Sequence, residues 1–403
     1  VKSSFARVVV VLGLLSALGP FAIDMYLPGL PSIGAAFHAS DATVQLSLMV
    51  YILAASTSQL FFGPLSDLIG RKKPIYLGLV VFALASGGCA LAPNIETLIL
   101  FRALQGMGAC AGMVIPRAVV RDLHTGPQAV QLMGMLMLVF SVSPILAPLF
   151  GSFVVAGFGW RSVFWIIGAA AAMGVLLTFA FLPETRSPAD RKTASVGGAF
   201  RDYLRLLRNA EFVGLASVGG FAFAAFLVFL ANSSFVLIGH YGLSSRQYSV
   251  AFSLNAFAFI GAAQLNGWLV KHFSQVSLVR TSAVGFVLAS AALALVSYWS
   301  LDSLSTLLSL LFITFGFMGL IVPNVTVLSL ESHGEIAGTA SALMGTIQML
   351  IGVAMVGIAS VFSDGRPLPM VIGIASCALC ALCVTFMSVR KAPGGLQAPA
   401  VRV

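Results

Sequence analysis

Charge is scarce in this sequence: 9% of its 403 residues carry one, while 59% are hydrophobic. Soluble globular chains carry about 25% charged residues, so a water-facing surface of ordinary size is excluded. Acids are the scarcest, 13 against 22 Lys and Arg. Histidine is missing from the apolar runs, since His38, His124, His240, His272 and His333 all fall in turns. A relay of intramembrane histidines is thereby excluded. Cysteine offers no metal framework: Cys89 and Cys110 lie in apolar segments, and Cys377, Cys380 and Cys383 stand at helical spacing without flanking polar ligands. They read as packing, and no metal site is expected.

What is abundant is apolar sequence in stretches of about 20 residues, the length that crosses a bilayer as a helix. Twelve are read: 8–30, 43–65, 74–92, 97–122, 130–155, 161–183, 211–240, 247–271, 278–298, 302–330, 336–362 and 367–390. The first lacks a small-residue cleavage pattern and contains Asp24, which predicts a retained helix and not a signal peptide. The long polar stretch after the sixth divides the chain into an N-terminal six-helix bundle (1–184), a cytoplasmic linker (185–210) and a C-terminal six-helix bundle (211–403).

Lys and Arg orient the spans. With both termini inside, the cytoplasmic segments hold Lys2, Arg7, Arg71, Lys72, Lys73, Arg121, Arg186, Arg191, Lys192, Arg201, Arg205, Arg208, Lys271, Arg280, Arg390, Lys391 and Arg402, seventeen in all. The other side holds Arg161, Arg246 and Arg366, and Arg102 and Arg117 fall within helices, which completes 22. This positive-inside asymmetry accounts for the net charge of +9 without nucleic acid as a partner. The halves also echo each other. Gly63–Asp67 ends the second segment and Gly267–Lys271 the eighth, while Gly112-Met-Val-Ile-Pro116 in the fourth matches Gly319-Leu-Ile-Val-Pro323 in the tenth. The expected fold is all-α and integral to the membrane: twelve transmembrane helices in two pseudo-symmetric six-helix bundles.

Among the acids only Asp24 lies deep, in Pro20-Phe-Ala-Ile-Asp-Met-Tyr-Leu-Pro-Gly-Leu-Pro31. A charge at mid-membrane costs roughly 2.5–3.5 kcal/mol on insertion scales, so an acid there points to function. Pro28 has no N–H for the carbonyl of Asp24 four residues earlier, so the helix is weakened at the acid. Irregular backbone at this depth needs cover from protein or a water-filled cavity, which Asp24 should face. Arg102 lies five residues into the fourth segment, roughly 8 Å from the outer end, and Asp24 roughly 9 Å from it. At one level each lowers the other's burial cost; otherwise Arg102 snorkels to the interface. Tyr26, about 200° round the helix from Asp24, is expected in interhelical packing. Burial favours a neutral Asp24 and Arg102 a charged one.

The loop after the second segment reads Gly63-Pro-Leu-Ser-Asp-Leu-Ile-Gly-Arg-Lys-Lys73. Its glycines permit close helix approach. Asp67 is placed to meet a cation or helix N-terminus, and Arg71 an acid such as Asp122. The run resembles the G-x-L-a-D-r-x-G-r-k-x signature of the major facilitator superfamily at Gly63, Leu65, Asp67, Gly70, Arg71 and Lys72. The bland reading is a basic stop-transfer turn. The resemblance implies a cytoplasmic latch between the halves, formed by Gly63, Asp67, Gly70, Arg71 and Asp122. Arg102-Ala-Leu-Gln-Gly-Met-Gly108 is similar to that family's second signature; with no strand before it, it is not a nucleotide fingerprint.

Ser143-Pro-Ile-Leu-Ala-Pro-Leu-Phe-Gly-Ser152 resembles the antiporter signature g-x-x-x-G-P-x-x-G-G at Pro148 and Gly151, with Ala147 and Ser152 in place of glycines. Pro144 and Pro148 each remove one backbone bond, which on its own predicts only a bent, closely packed helix. Together with Ala22-Ile-Asp-Met-Tyr-Leu-Pro28, Arg117-x-x-x-Arg-Asp122 and Ala337-Gly-Thr-Ala-Ser-Ala342, the chain resembles the bicyclomycin and chloramphenicol resistance branch of drug–proton antiporters over its whole length. One departure is Lys271, where the first-half loop has Asp67.

That resemblance implies alternating-access efflux of a small amphiphilic drug across a bacterial inner membrane. It would be driven by the proton gradient with no cofactor, by a single chain, with Asp24 and Arg102 coupling the proton. Tyr51, Gln105, Asn232, Asn255 and Gln348 are candidate substrate contacts among the intramembrane polar residues, with Gln45, Gln264 and Asn324 also in helices. The same residues could equally be interhelical glue. An exporter or importer of a metabolite is the alternative. An integral-membrane enzyme needs a converging base and partner, and the sequence supplies one deep carboxylate and no catalytic group.

Overall fold

The computed structural model describes residues 5–123, 126–187, 196–333 and 336–388. His124, part of the linker with Arg191 and Lys192, Glu335 and both termini with Lys2, Arg390, Lys391 and Arg402 lie outside the described residues. The first half comprises α1 (Phe5–Asp24), α2 (Leu30–Phe37), α3 (Asp41–Ile69), α4 (Lys72–Leu91), α5 (Ile95–Leu123), α6 (Gly126–Phe158) and α7 (Arg161–Phe181). A linker helix, α8 (Val196–Leu207), follows. The second half holds α9 (Ala210–Ser234), α10 (Ser245–Leu269), α11 (Gln275–Tyr298), α12 (Leu304–Glu331), α13 (Ala337–Val361) and α14 (Pro367–Ser388).

Twelve segments among the described residues are long and apolar enough to cross a membrane, with α1 and α2 forming the first. Several run past the apolar core because polar residues cap them. Ser40, Ser274 and Ser303 accept the backbone N–H groups of Thr43, Ser277 and Thr306, and Ser244 forms a reciprocal capping box with Gln247. Asn209 caps α9 through the N–H groups of Glu211 and Phe212, leaving α8 no slack before the next span.

The two halves use one packing scheme. In the first, α3 and α4 pack on α5, α4 on α7, and α1 on α5, α6 and α7. In the second, α10 and α11 pack on α12, α11 on α14, and α9 on α12, α13 and α14. Shifting each helix of the first set by six spans yields the second, so the bundles are pseudo-symmetric. They meet through α3 on α13 and α6 on α10, again a symmetry-related pair. The matched glycines do not share a contact, however. Gly112 lies against the Leu15 carbonyl of α1, whereas Gly319 lies against the Phe259 carbonyl of α10.

Arg71 and Asp122 mark one end of the molecule, here the basic face; Gln45, Asn232 and Ser363 lie toward the opposite face. On that opposite side the turn after α1 and α2 touch α9 and the wider π-type turn Phe235–His240.

Candidate functional site

α1 stops at Asp24, where Pro28 withholds an N–H, and the chain passes through a tight 3-10 turn, Leu27–Gly29, into α2. Met25 N–H still donates to the Phe21 carbonyl at 3.0 Å. The carbonyl of Ala22 is left to accept from Arg102 Nη1 at 3.1 Å. Asp24 itself is 4% exposed and has no ion-pair or hydrogen-bond partner among the described residues. The turn that follows it, Leu27–Gly29, packs on α6 of its own half and on α9 and α10 of the other. The acid therefore sits where the bundles face each other.

Arg102 is 0% exposed. Its guanidinium lies 4.2 Å from the ring centre of Tyr51, 4.7 Å from Tyr26 and 5.9 Å from Phe164. Cation–π contacts of this kind are worth about 2 kcal/mol or more when water is excluded. Nη1 also donates to Gln105 Oε1 at 2.6 Å, and Gln105 Nε2 donates to Ser86 at 2.8 Å. Nε and Nη2 have no hydrogen-bond partner among the described residues. Arg102 thus reaches the backbone two residues before Asp24, but the ion pair expected from their shared depth is not formed. Depth fixes position along the membrane normal; the direction of the guanidinium is set by the Ala22 carbonyl, Gln105 and two ring faces.

That cage redefines several expected contacts. Tyr51 donates its hydroxyl to the Gly19 carbonyl at 3.0 Å and gives its ring to Arg102, so it is a wall of the cage and not a cavity residue. Gln105 is likewise committed to Arg102 and Ser86. Tyr26 does pack between helices, its hydroxyl 2.7 Å from Ser47 Oγ, and it also shields the cation. Asn232 accepts from Gln45 Nε2 at 3.0 Å and from Ser363 at 3.2 Å, which fastens α9 to α3. Beyond this seal the halves border an open vestibule of about 550 Å³ on the opposite face, lined in part by His38, Asp41, His240, Asp364 and Arg366. Asn255 Oδ1 and Gln348 Nε2 alone keep unpartnered polar atoms among the five candidates. Exposed Gln264 faces away from the core, and Asn324 bonds Asn266 at 2.7 Å.

The antiporter-like stretch leads back to the same acid. α6 runs unbroken through Pro144 and Pro148, and Gly151 brings it against the backbone of Met25, next to Asp24. A Cβ at Gly151 would collide with that backbone. The same helix meets the second half through Ser249, which donates to the Pro148 carbonyl, and Ser253, which donates to Ile145, each at 2.8 Å.

At the basic face the residues expected in the latch come together, but the partners of Asp67, Arg71 and Asp122 among the described residues all lie in the first half or at the start of the linker, so they make no contact between the halves here. Arg71 is 3% exposed and reaches Asp67 at 2.8 Å, Asp122 at 2.7 and 3.2 Å, and Ser66 at 2.7 Å. Burial works against the Arg71 cation, but the Asp122 hydrogen bonds and the Asp67 charge outweigh it, holding its pKa above the usual arginine range. Gly70 turns the chain at φ +94, a conformation that favours glycine, and Gly63 lies half-buried beside Val114 of α5. The reading from residues missed Glu184 and Thr185. Glu184 accepts the backbone N–H groups of Arg71 and Lys72 at 2.8 and 3.2 Å, capping α4, and Thr185 donates to Asp122 at 2.9 Å. A polar pair immediately after a span, on the same face as the loop, was the available signal. In the second half Lys271 is exposed. Arg71→Ala is expected to cost about 1.5–3 kcal/mol, the worth of hydrogen bonds to charged groups, and Glu184→Gln about 0.3–1 kcal/mol. Thermal unfolding of the detergent-purified variants reads both; equal losses would contradict this ranking.

Comparisons with known proteins agree with this architecture. The chain is 35% identical over 343 residues, 85% of each protein, to the uncharacterized MFS-type transporter YdgK of Bacillus subtilis. It is 29% identical over 376 residues to a bicyclomycin resistance protein homolog of Haemophilus influenzae, covering 93% of this chain and 94% of that one. The fold matches a crystal structure of a bacterial homolog of the human lysosomal transporter Spinster at a TM-score of 0.75, with 16% identity and 98% and 100% coverage. A family model described as Major Facilitator Superfamily matches residues 12–356. With that match spanning most of both bundles, the chain belongs to the major facilitator superfamily and is a membrane transporter, not an enzyme.

Proposed function

We propose that this transporter exports small amphiphilic drugs, of the bicyclomycin or chloramphenicol type, in exchange for protons. The observation that carries the reading is Asp24: a buried acid without a partner among the described residues, at a helix break whose turn packs on both halves. A neutral, protonated Asp24 needs no cation, which suits the arrangement described. Once it releases its proton, the carboxylate requires a positive partner, and Arg102 offers Nε and Nη2. Forming that pair would draw Arg102 from its cage and the Asp24 turn from α6 and α10, shifting the equilibrium between two arrangements of the halves. The rocking units are 1–184 and 211–403.

For substrate, the reading favours the second half. Phe226 stands at the centre of a cluster with Phe229, Phe252, Phe259 and Phe315, ring centres 5.6–6.4 Å away. Asn255 lies on the same helix as Phe252 and Phe259; all of these but Phe259 are buried here, so the cluster would become an apolar surface with few polar atoms, of the kind that suits an amphiphile, only when the halves part. The basic face is assigned to the cytoplasm of a bacterial inner membrane, in keeping with the Lys and Arg bias. The proton gradient supplies the energy, and a single chain suffices.

Everted vesicles energised to an acidic interior test the proposal. Adding a substrate drug should release protons from the lumen, in proportion to drug accumulated. Accumulation with no proton movement across a panel including chloramphenicol and bicyclomycin would refute the antiport reading.

A further inference from the structure

The linker was expected to be a polar connection, yet 196–207 forms the helix α8 with three distinct faces. One face is committed to the bundle. Tyr203 and Leu206 are buried with Phe212 of α9 and Ala340, Leu343 and Met344 of α13, and the Tyr203 hydroxyl reaches the Leu60 carbonyl of α3 at 3.4 Å. α8 therefore touches both halves at the end of the α3–α13 seam. A second stripe is apolar and exposed: Phe200, Leu204 and Leu207, at spacings of four and three, are 40%, 58% and 49% exposed. Phe200 meets exposed Phe61 of α3, ring centres 5.8 Å apart. The third stripe repeats the same spacing one residue later, with exposed Arg201, Arg205 and Arg208. None of the three forms an ion pair among the described residues.

At about 100° per residue the apolar and cationic stripes lie side by side, both turned from the bundle. Asn209 caps α9 directly after α8, which fixes the helix at the level where the spans emerge. A cationic stripe beside an unpartnered apolar stripe, at that depth, is complementary to a leaflet boundary of acyl chains and anionic headgroups. We propose that α8 is a binding element for anionic phospholipid, with Leu204 and Leu207 among the chains and the three arginines on the phosphates. Because it straddles both halves, the bound lipid would also bias their relative movement. That consequence rests on the transport reading; the binding does not.

The binding is tested in bilayers by quenching of Leu204→Trp, as a difference from the parent protein. Brominated phosphatidylglycerol in phosphatidylcholine bilayers is compared with brominated phosphatidylcholine. Selective quenching by the anionic lipid is expected, falling roughly tenfold or more in preference in R201Q/R205Q/R208Q and surviving in R201K/R205K/R208K. Equal quenching by the two lipids, or selectivity unchanged in the glutamine variant, would overturn the proposal. An unaltered unfolding temperature for the glutamine variant ensures that its result reports binding. If selectivity holds while transport ignores anionic lipid content, the binding stands and the rocking consequence fails.

Discussion

Asp24→Asn is expected to abolish uphill efflux while leaving a folded protein in the membrane. Asparagine has the size of a protonated aspartic acid and cannot release its proton. Because Asp24 has no cationic or hydrogen-bond partner among the described residues, the amide loses no ion pair in this arrangement. Replacing a neutral acid by a neutral amide of the same size changes no charge in this arrangement, so the unfolding temperature should hold. The variant is held in one of the two arrangements, since the step that would call on Arg102 is missing. Drug-dependent proton release should disappear, and accumulation against a gradient with it, while drug binding to the purified protein persists. Undiminished resistance in cells carrying this variant would end the coupling role.

How far the sequence reaches depends on which forces decide each feature. The spans were readable because bilayer solvation acts residue by residue, and capping serines explain why α3, α10, α11 and α12 start where they do. The break at Asp24 was readable from one missing N–H at Pro28. Arg71 with Asp122 was readable too, a cation after a glycine turn and an acid at the end of α5 on the same face. Other features needed the third dimension. Whether Tyr51 or Gln105 lines a cavity depends on helix rotation, which packing of α5 on α3 decides through Gly106 lying against the Tyr51 carbonyl. The same rotation turns Arg102 into its cage. α8 lay within an arginine-rich polar stretch too short to span; Phe200, Tyr203, Leu204, Leu206 and Leu207 recur there at helical spacing, but which of them face the bundle is decided by partners such as those on α13.

Arg102→Met should separate stability from function more sharply than any other change. The guanidinium is a buried cation with two nitrogens unpartnered, so its desolvation is only partly offset by the rings of Tyr26 and Tyr51 and by Gln105. Apolar replacements of similar volume for buried charged groups are often neutral or stabilising by about 1–4 kcal/mol. Methionine fills most of the same channel and makes favourable contacts with aromatic rings. The unfolding temperature of Arg102→Met should therefore match or exceed that of the parent, whereas Arg102→Ala, which adds a cavity, should lose about 2–5 kcal/mol. Transport should behave oppositely. Without the guanidinium, a deprotonated Asp24 is left buried and unpaired, a state about 3–5 kcal/mol more costly than the pair. That corresponds to a loss of more than about a hundredfold in the population through which each cycle must pass. Counterflow and proton release in proteoliposomes measure the loss. Parent-like transport by Arg102→Met would place the cation among purely structural groups and leave Asp24 to exchange its proton without it.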